Sequence, residues 1–236
     1  MIIHTLRGRE IKVHATVVPR FTIGGQITLH NMTAFVFEDK DYFFPETKYQ
    51  VEGELGYPIM EAMGRITVTD SNRLYVDPGQ QVSSVEKNDS VSAGVRFFLD
   101  GDQVILALGG SIGFGPSRSG ERMFAIDAGG QQTYLTSRFY DEHTGDFEGQ
   151  KMELFTLRGL PNMTPVPSYA AETVPLAVGK TTIQFHFMPV LTQPIGSAAL
   201  DDVYGVLGVD ALDQLGSYTF DYRTMQFSIR LSEARD

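Results

Sequence analysis

One spacing recurs along this chain. Gly53-Glu54-Leu55-Gly56, followed by an amphipathic stretch to Met63 and a closing Gly64, returns as Gly205-Val206-Leu207-Gly208, a stretch to Leu215 and a closing Gly216, 152 residues later. The echo extends outward at nearly the same offset. Thr5-Leu6-Arg7-Gly8 reappears as Thr156-Leu157-Arg158-Gly159, and Ile23-Gly24 through Val36 pairs loosely with Val178-Gly179 through Val190. Self-similarity at a fixed period predicts duplicated structural units, which restricts the folds open to 236 residues to those built from two related halves.

The local pattern predicts strands. Most segments are short, rich in Val, Ile, Phe, Tyr and Thr, and punctuated by Gly, Pro or Asp-Gly, as in all-β proteins. Phe97–Leu99 and Val104–Leu108 flank Asp100-Gly101, a tight-hairpin signal because both residues tolerate positive φ. Thr67-Val68 with Leu74–Val76 reads as a hairpin turned by residues 70–72, with a counterpart in Tyr218–Phe220 and Gln226–Ile229. Met123–Ile126 reads as a buried strand entering Asp127, and Thr133–Glu142 as a short helix. Residues 160–175 hold four prolines and are expected in loop and edge strand. The glycines from Gly109 to Gly115 lack the Lys-Ser/Thr of a phosphate cradle and are expected in a mobile hairpin or surface loop. Tyr42-Phe43-Phe44 reads equally as a cleft wall or as a strand-end cluster over the core.

Charge and composition exclude several functions. A net charge of −10 opposes a nucleic-acid surface, and the absence of cysteine removes disulfides, thiolate metal sites and cysteine nucleophiles. His4, His14, His30, His143 and His186 are scattered without metal-site spacing, so no metal and no cofactor are expected. The serines lack a Gly-x-Ser-x-Gly elbow. No apolar run reaches the ~20 residues of a bilayer span, and the residues after Met1 do not resemble a secretory signal. The compartment stays open, export included, should a signal lie upstream.

An apolar strand ending in Ile126-Asp127-Ala128-Gly129-Gly130, a helix after it, and Val206-Leu207-Gly208 plus a helix further on together resemble the retropepsin-like and pepsin-like aspartic proteases, bacterial members included. The resemblance covers essentially the whole chain. It implies an all-β fold of two related β-barrel lobes with short helices. The first lobe, residues 1–85, would be incomplete at its N-terminus; residues 86–93 would be a connector and residues 94–236 the second lobe. It further implies Asp127 as one catalytic carboxylate, Ala128, Gly129 and Gly130 as its loop, and Val206, Leu207 and Gly208 as the supporting turn, with Leu55 and Gly56 the corresponding turn of the first lobe. The implied activity is endopeptidic hydrolysis of an extended polypeptide. Two carboxylates about 3 Å apart share one proton, so that one activates water while the other donates to the scissile carbonyl.

The repeat places the partner aspartate about 25 residues before Met1, from the spacing of the two units. It is therefore expected upstream or on another chain, through a homodimer, and this chain alone is expected to be inactive. The sequence departs from the family at Ala128, where a Thr or Ser normally bonds across the lobe interface, and at Gly130. A catalytically degenerate module that binds peptides or serves a structural role is the alternative expectation.

Overall fold

The computed structural model describes residues 2–4, 10–36, 53, 55–71, 73–77, 90–100, 103–114, 117–156, 165–195, 200 and 202–230. The Tyr42–Phe44 cluster, Glu54, Thr5–Gly8, residues 157–159, residues 78–85 and residues 86–89 of the expected connector lie outside these.

The fold is all-β. Its strands are β1 (Ile2–His4), β2 (Glu10–Lys12), β3 (His14–Ile23), β4 (Ile27–Val36), β5 (Arg65–Val68), β6 (Leu74–Asp77), β7 (Ser90–Asp100), β8 (Gln103–Phe114) and β9 (Ser117–Arg118). After these come β10 (Arg122–Ile126), β11 (Tyr134–Leu135), β12 (Glu153–Phe155), β13 (Val166–Val178), β14 (Thr181–Leu191), β15 (Gly205–Leu207), β16 (Tyr218–Asp221) and β17 (Gln226–Arg230). Among the described residues three short α-helices interrupt them, α1 (Tyr57–Met63), α2 (Ser137–Glu142) and α3 (Val209–Gln214), and a 3-10 turn (Thr144–Phe147) follows α2.

One sheet runs β12-β13-β14-β11-β15-β10-β8-β7-β17-β16-β5-β6, with β9 on β8, while β1–β2 and β3–β4 form separate hairpins. Near one edge of this order a strand from the first half of the chain meets one from near its C-terminal end. β5 meets β16 antiparallel with Tyr218 opposite Val68 and Asp221 opposite Arg65. At its centre Thr67 and Thr219, 152 residues apart, share a hydroxyl hydrogen bond of 2.8 Å. Arg65 Nε and Nη2 both donate to Asp221 Oδ2, at 3.0 and 2.8 Å, tying the same strands by a buried ion pair.

The recurring glycines adopt matching conformations. Gly56 and Gly208 each precede a helix in extended conformation, at φ −78° ψ 173° and φ −87° ψ −173°. Gly64 and Gly216 close those helices at φ 71° and 70°, a region where glycine alone is unstrained. β3–β4 and β13–β14 each turn at a positive-φ glycine, Gly24 and Gly179.

Three sequence expectations change. Residues 133–136 are not helical: Tyr134 and Leu135 form β11 between β14 and β15, both fully buried, and the helix starts only at Ser137. Two buried faces on consecutive residues suit a covered strand rather than an amphipathic helix. Residues 166–175 lie within the thirteen-residue strand β13 rather than in a loop; β12 flanks it only at 166–168 and β8 only at 176–177, so among the described residues 169–175 pair on the β14 side alone, as an edge would. Its Pro175 is accommodated by a glycine on the facing strand, since a Cβ at Gly113 would lie 2.9 Å from the Pro175 ring. Gly109 and Gly110 are buried within β8 rather than in a surface loop. A Cβ on Gly110 would meet Ala177 O at 3.1 Å and Phe124 Cδ2 at 3.2 Å, so the glycine permits close strand approach. The expected hairpins β5–β6, β7–β8 and β16–β17 all form, and β7 starts at Ser90, inside the span read as connector.

The main core gathers Leu108, Phe124, Leu135, Phe139, Val174, Leu176 and Leu207 between β8, β10, α2 and the β13–β14 hairpin. That hairpin bends at its middle. Alternation of buried residues shifts phase at Glu172 and at Phe187, a bulky residue at φ 55° that is 71% exposed. Among the described residues no helix is long and apolar enough to cross a membrane.

Candidate active site

β10 and β15 run parallel, Phe124 beside Gly205, Ala125 beside Val206 and Ile126 beside Leu207. The ladder is extended by Asp127 N–H donating to Leu207 O at 2.9 Å. Asp127 therefore stands at the carboxyl end of one strand, beside the turn that ends the other. Its chain then folds back on itself. Gly129 N and Gly130 N donate to Asp127 Oδ1 at 3.2 and 2.9 Å, and Gly130 N also donates to Asp127 O at 3.1 Å. Asp127 is half-buried, Ala128 and Gly129 are exposed and Gly130 is buried.

Gly130 is required by the carboxylate itself: a Cβ there would sit 2.8 Å from Asp127 Cγ and closer still to Oδ2. Gly129 carries no such restriction, with its nearest neighbour, Asp127 Oδ1, at 3.5 Å.

The Gly208 turn is sewn to this loop from beneath. Val209 N donates to Gly130 O at 2.8 Å and Gly208 N donates to Thr133 Oγ1 at 3.0 Å. Thr133 passes the connection on, its hydroxyl donating to Asp210 Oδ1 at 2.5 Å and its N–H to Asp210 Oδ2 at 3.1 Å. Val206 and Leu207 are buried in the adjoining cores. Sequence reasoning located Asp127, Gly130 and the Val206–Gly208 turn, and the structure brings them together. It missed Thr133 and Asp210. The available signal was an acidic residue in the first turn of a helix, a position that favours a carboxylate accepting backbone N–H groups.

The Leu55–Gly56 turn lies apart from this assembly in sequence and differs in environment. Leu55 is 40% exposed where Leu207 is 1% exposed, and Gly56 is exposed where Gly208 is buried. Pro58 occupies the position, 152 residues earlier, that Asp210 holds in the second turn.

A cleft of about 660 Å³ opens between β12, β13, β14 and the Thr133–Asp210 pair, and Asp127–Gly130 do not line it. Phe155, Phe185 and Met188 give it apolar walls, while Glu153 and Glu172 contribute acidic ones. Among the described residues, no group of three or more His, Asp or Glu is arranged to hold a metal ion.

No protein-family model matches this chain, and no curated protein does. Among solved structures it resembles the crystal structure of a retropepsin-like aspartic protease from Rickettsia conorii. The match has 13% identity and a TM-score of 0.34, over 58% of this chain and 91% of the other. Superposition this loose leaves any assignment to the chain's own geometry.

Proposed function

We propose that this chain serves an aspartic-type endopeptidase, with Asp127 one member of a catalytic dyad whose second carboxylate comes from upstream of this chain or from another chain. The observation that carries this reading is the carboxylate of Asp127 at a strand end, held by its own loop and braced by the Gly208 turn. Preorganisation of this kind is what a general acid or base needs, because misplacement by about 1 Å can cost 100-fold in rate. Two related units, residues 1–85 and 94–236, fit the hydrogen bond between Thr67 and Thr219 and the matched glycine conformations. An extended polypeptide would lie along the cleft beside Thr133 and Asp210, its side chains against Phe155 and Met188.

In the reaction one carboxylate takes a proton from water as the water attacks the peptide carbonyl, and the other donates its proton to the carbonyl oxygen. The upstream reading frame should contain Asp-Thr/Ser-Gly about 25 residues before Met1, from the repeat spacing. The protein carrying that segment should cleave an unfolded polypeptide at acid pH, be blocked by pepstatin-like inhibitors and lose at least ~10²–10⁴-fold in rate in Asp127→Asn. Cleavage that Asp127→Asn leaves unchanged would overturn the assignment.

A second reading, a degenerate module that binds peptides without cleaving them, is favoured by one residue. Ala128 is exposed at the position next to the carboxylate and offers no hydroxyl to a facing loop. Peptide binding without cleavage in the longer protein would select it.

A further inference from the structure

We propose that Glu142 is a positioning residue for the Asp127 loop, holding through one carboxylate oxygen the roots of both strands that end at the site. Arg122 Nη2 donates to Glu142 Oε2 at 2.8 Å, and Tyr204 Oη donates to the same oxygen at 2.5 Å. Arg122 is the first residue of β10, five before Asp127; Tyr204 immediately precedes β15, four before Gly208. The Arg122 guanidinium also lies 5.0 Å from the centre of the Tyr204 ring.

This contact matters because it adds a side-chain tie to a short strand. The strand is three residues long, lying between three residues of β10 and the two-residue β11. Parallel pairing is slightly weaker per residue than antiparallel, and a slip of one residue would move Gly208 from beneath Gly130. Tyr204 prevents the slip. Its N–H donates to Met123 O at 2.8 Å, its carbonyl accepts from Thr136 N at 3.2 Å, and its ring packs edge-on to Phe139 and Phe124. Glu142 links that anchored residue to Arg122, so the two strands move as one body.

The charged groups around Glu142 come from every element packed on it. Arg122 belongs to β10 and Arg138 to α2, where Nε lies 3.6 Å from Glu142 Oε1; Arg138 in turn donates to Asp202 O at 2.9 Å. His143 stacks on Phe139, lies 3.4 Å from Tyr204 Oη, and pairs with Asp146. Burial works to raise the Glu142 carboxyl, but the Tyr204 hydrogen bond and the Arg122 and Arg138 charges outweigh it and hold it below the usual glutamate range. The clamp is therefore complete above the ordinary glutamate pKa and is lost as pH falls through the depressed value.

The structural claim stands independently of catalysis; its kinetic consequence rests on the proposed protease function. Hydrogen exchange resolves it in the chain itself. In Glu142→Gln, exchange at the amides of Asp127, Gly208 and Val209 should rise ~10-fold or more, as expected for losing a charge-assisted hydrogen bond. The amides of β16 and β17 should stay unchanged. Tyr204→Phe should reproduce the effect in smaller measure, because the Arg122 contact survives, and it serves if Glu142→Gln does not fold. Below the ordinary glutamate range the wild-type amides should lose protection beyond the intrinsic pH dependence of exchange, while Glu142→Gln shows no such step. Unchanged loop amides, or a uniform rise over all strands, would refute positioning. In the assembled protease the variant should lower kcat with KM unchanged. A wild-type protein that cleaves nothing would remove the protease reading and leave the exchange result standing.

Discussion

Adding one methyl group to Gly208 should damage this protein, while the same methyl on Gly56 should leave it intact. Both glycines precede a helix in extended conformation, which alanine adopts freely, so backbone strain cannot distinguish them. Surroundings do. A Cβ on Gly208 would lie 2.7 Å from Gln132 C, 2.8 Å from Gln132 N and 2.8 Å from Gly130 O, all backbone atoms that cannot rotate away. On Gly56 the nearest atom among the described residues is Pro58 Cδ at 3.8 Å, an ordinary contact. Relieving the Gly208 clash forces the turn away from the loop. Overpacking of that kind costs roughly 1–3 kcal/mol. The bonds from Gly208 N and Val209 N are stretched with it, at about 1 kcal/mol each if lost. Replacing glycine by alanine returns about 0.4–1 kcal/mol by stiffening the unfolded chain. The net expectation for Gly208→Ala is a loss of about 2–4 kcal/mol. For Gly56→Ala it is a change between zero and a gain of about 1 kcal/mol. At about 2–4 °C per kcal/mol for a protein of this size, Gly208→Ala should lower Tm by roughly 4–16 °C. Calorimetry and urea unfolding of both variants test this. A Gly208→Ala protein within ~0.5 kcal/mol of wild type, or equal losses in both, would refute the steric argument.

Gly130→Ala should displace the Asp127 carboxylate, because the new methyl carbon would overlap Oδ2; the expected result is loss of exchange protection at Gly129 and Gly130 with the β13–β14 amides untouched. Asp221→Ala should cost about 3–5 kcal/mol by leaving Arg65 buried and unpaired, whereas Arg65→Met with Asp221→Leu should recover most of that loss in urea unfolding. Burial works to raise the Asp221 carboxyl, but Arg65 and the N–H groups of Thr224 and Arg223 hold it below the usual aspartate range. Its contribution is thus present above the unfolded aspartate pKa and disappears as pH falls through the lower folded value. Wild type should lose stability over that acid interval, and the double variant should show a flatter pH profile.

The strands and turns of this chain were legible where local chemistry decides them. Asp100-Gly101 announced β7–β8, alternation announced β5–β6 and β16–β17, and Ile126-Asp127 announced a strand end beside Val206–Gly208. Readings failed where a distant partner decides. Proline argued for loop as well as edge at 166–175, yet the segment lies within the long strand β13, where Gly113 on a facing strand makes the room for Pro175. Glycines argued for a loop at 109–115, yet close packing against Ala177 and Phe124 is what Gly110 permits. The Glu142 contacts join residues 20 and 62 positions apart, a distance at which no local pattern signals a contact. Thr133 and Asp210 are 77 apart, but there the acidic first turn of a helix was a usable hint.

The contrast between the two Gly-x-Leu-Gly turns also limits what a partner could do. If the halves are copies, the edge of β17 that pairs with β7 corresponds to the edge of β6 that is unpaired among the described residues, and Tyr75 on β6 is 56% exposed against 0% for Phe227, 152 residues later. Gly56, too, is exposed where its counterpart is covered by the Asp127 loop. A segment bringing the second carboxylate would thus be expected to cover both places together, adding a strand to β6 and a loop over Gly56. It would lack one brace, because Pro58 stands where Asp210 anchors Thr133 in the second turn and proline cannot accept that hydroxyl through its side chain. The incoming loop would then be held less rigidly than that of Asp127, and Ala128 supplies no hydroxyl to compensate across the interface. On this geometry the second carboxylate, rather than Asp127, would limit how well a dyad could be aligned.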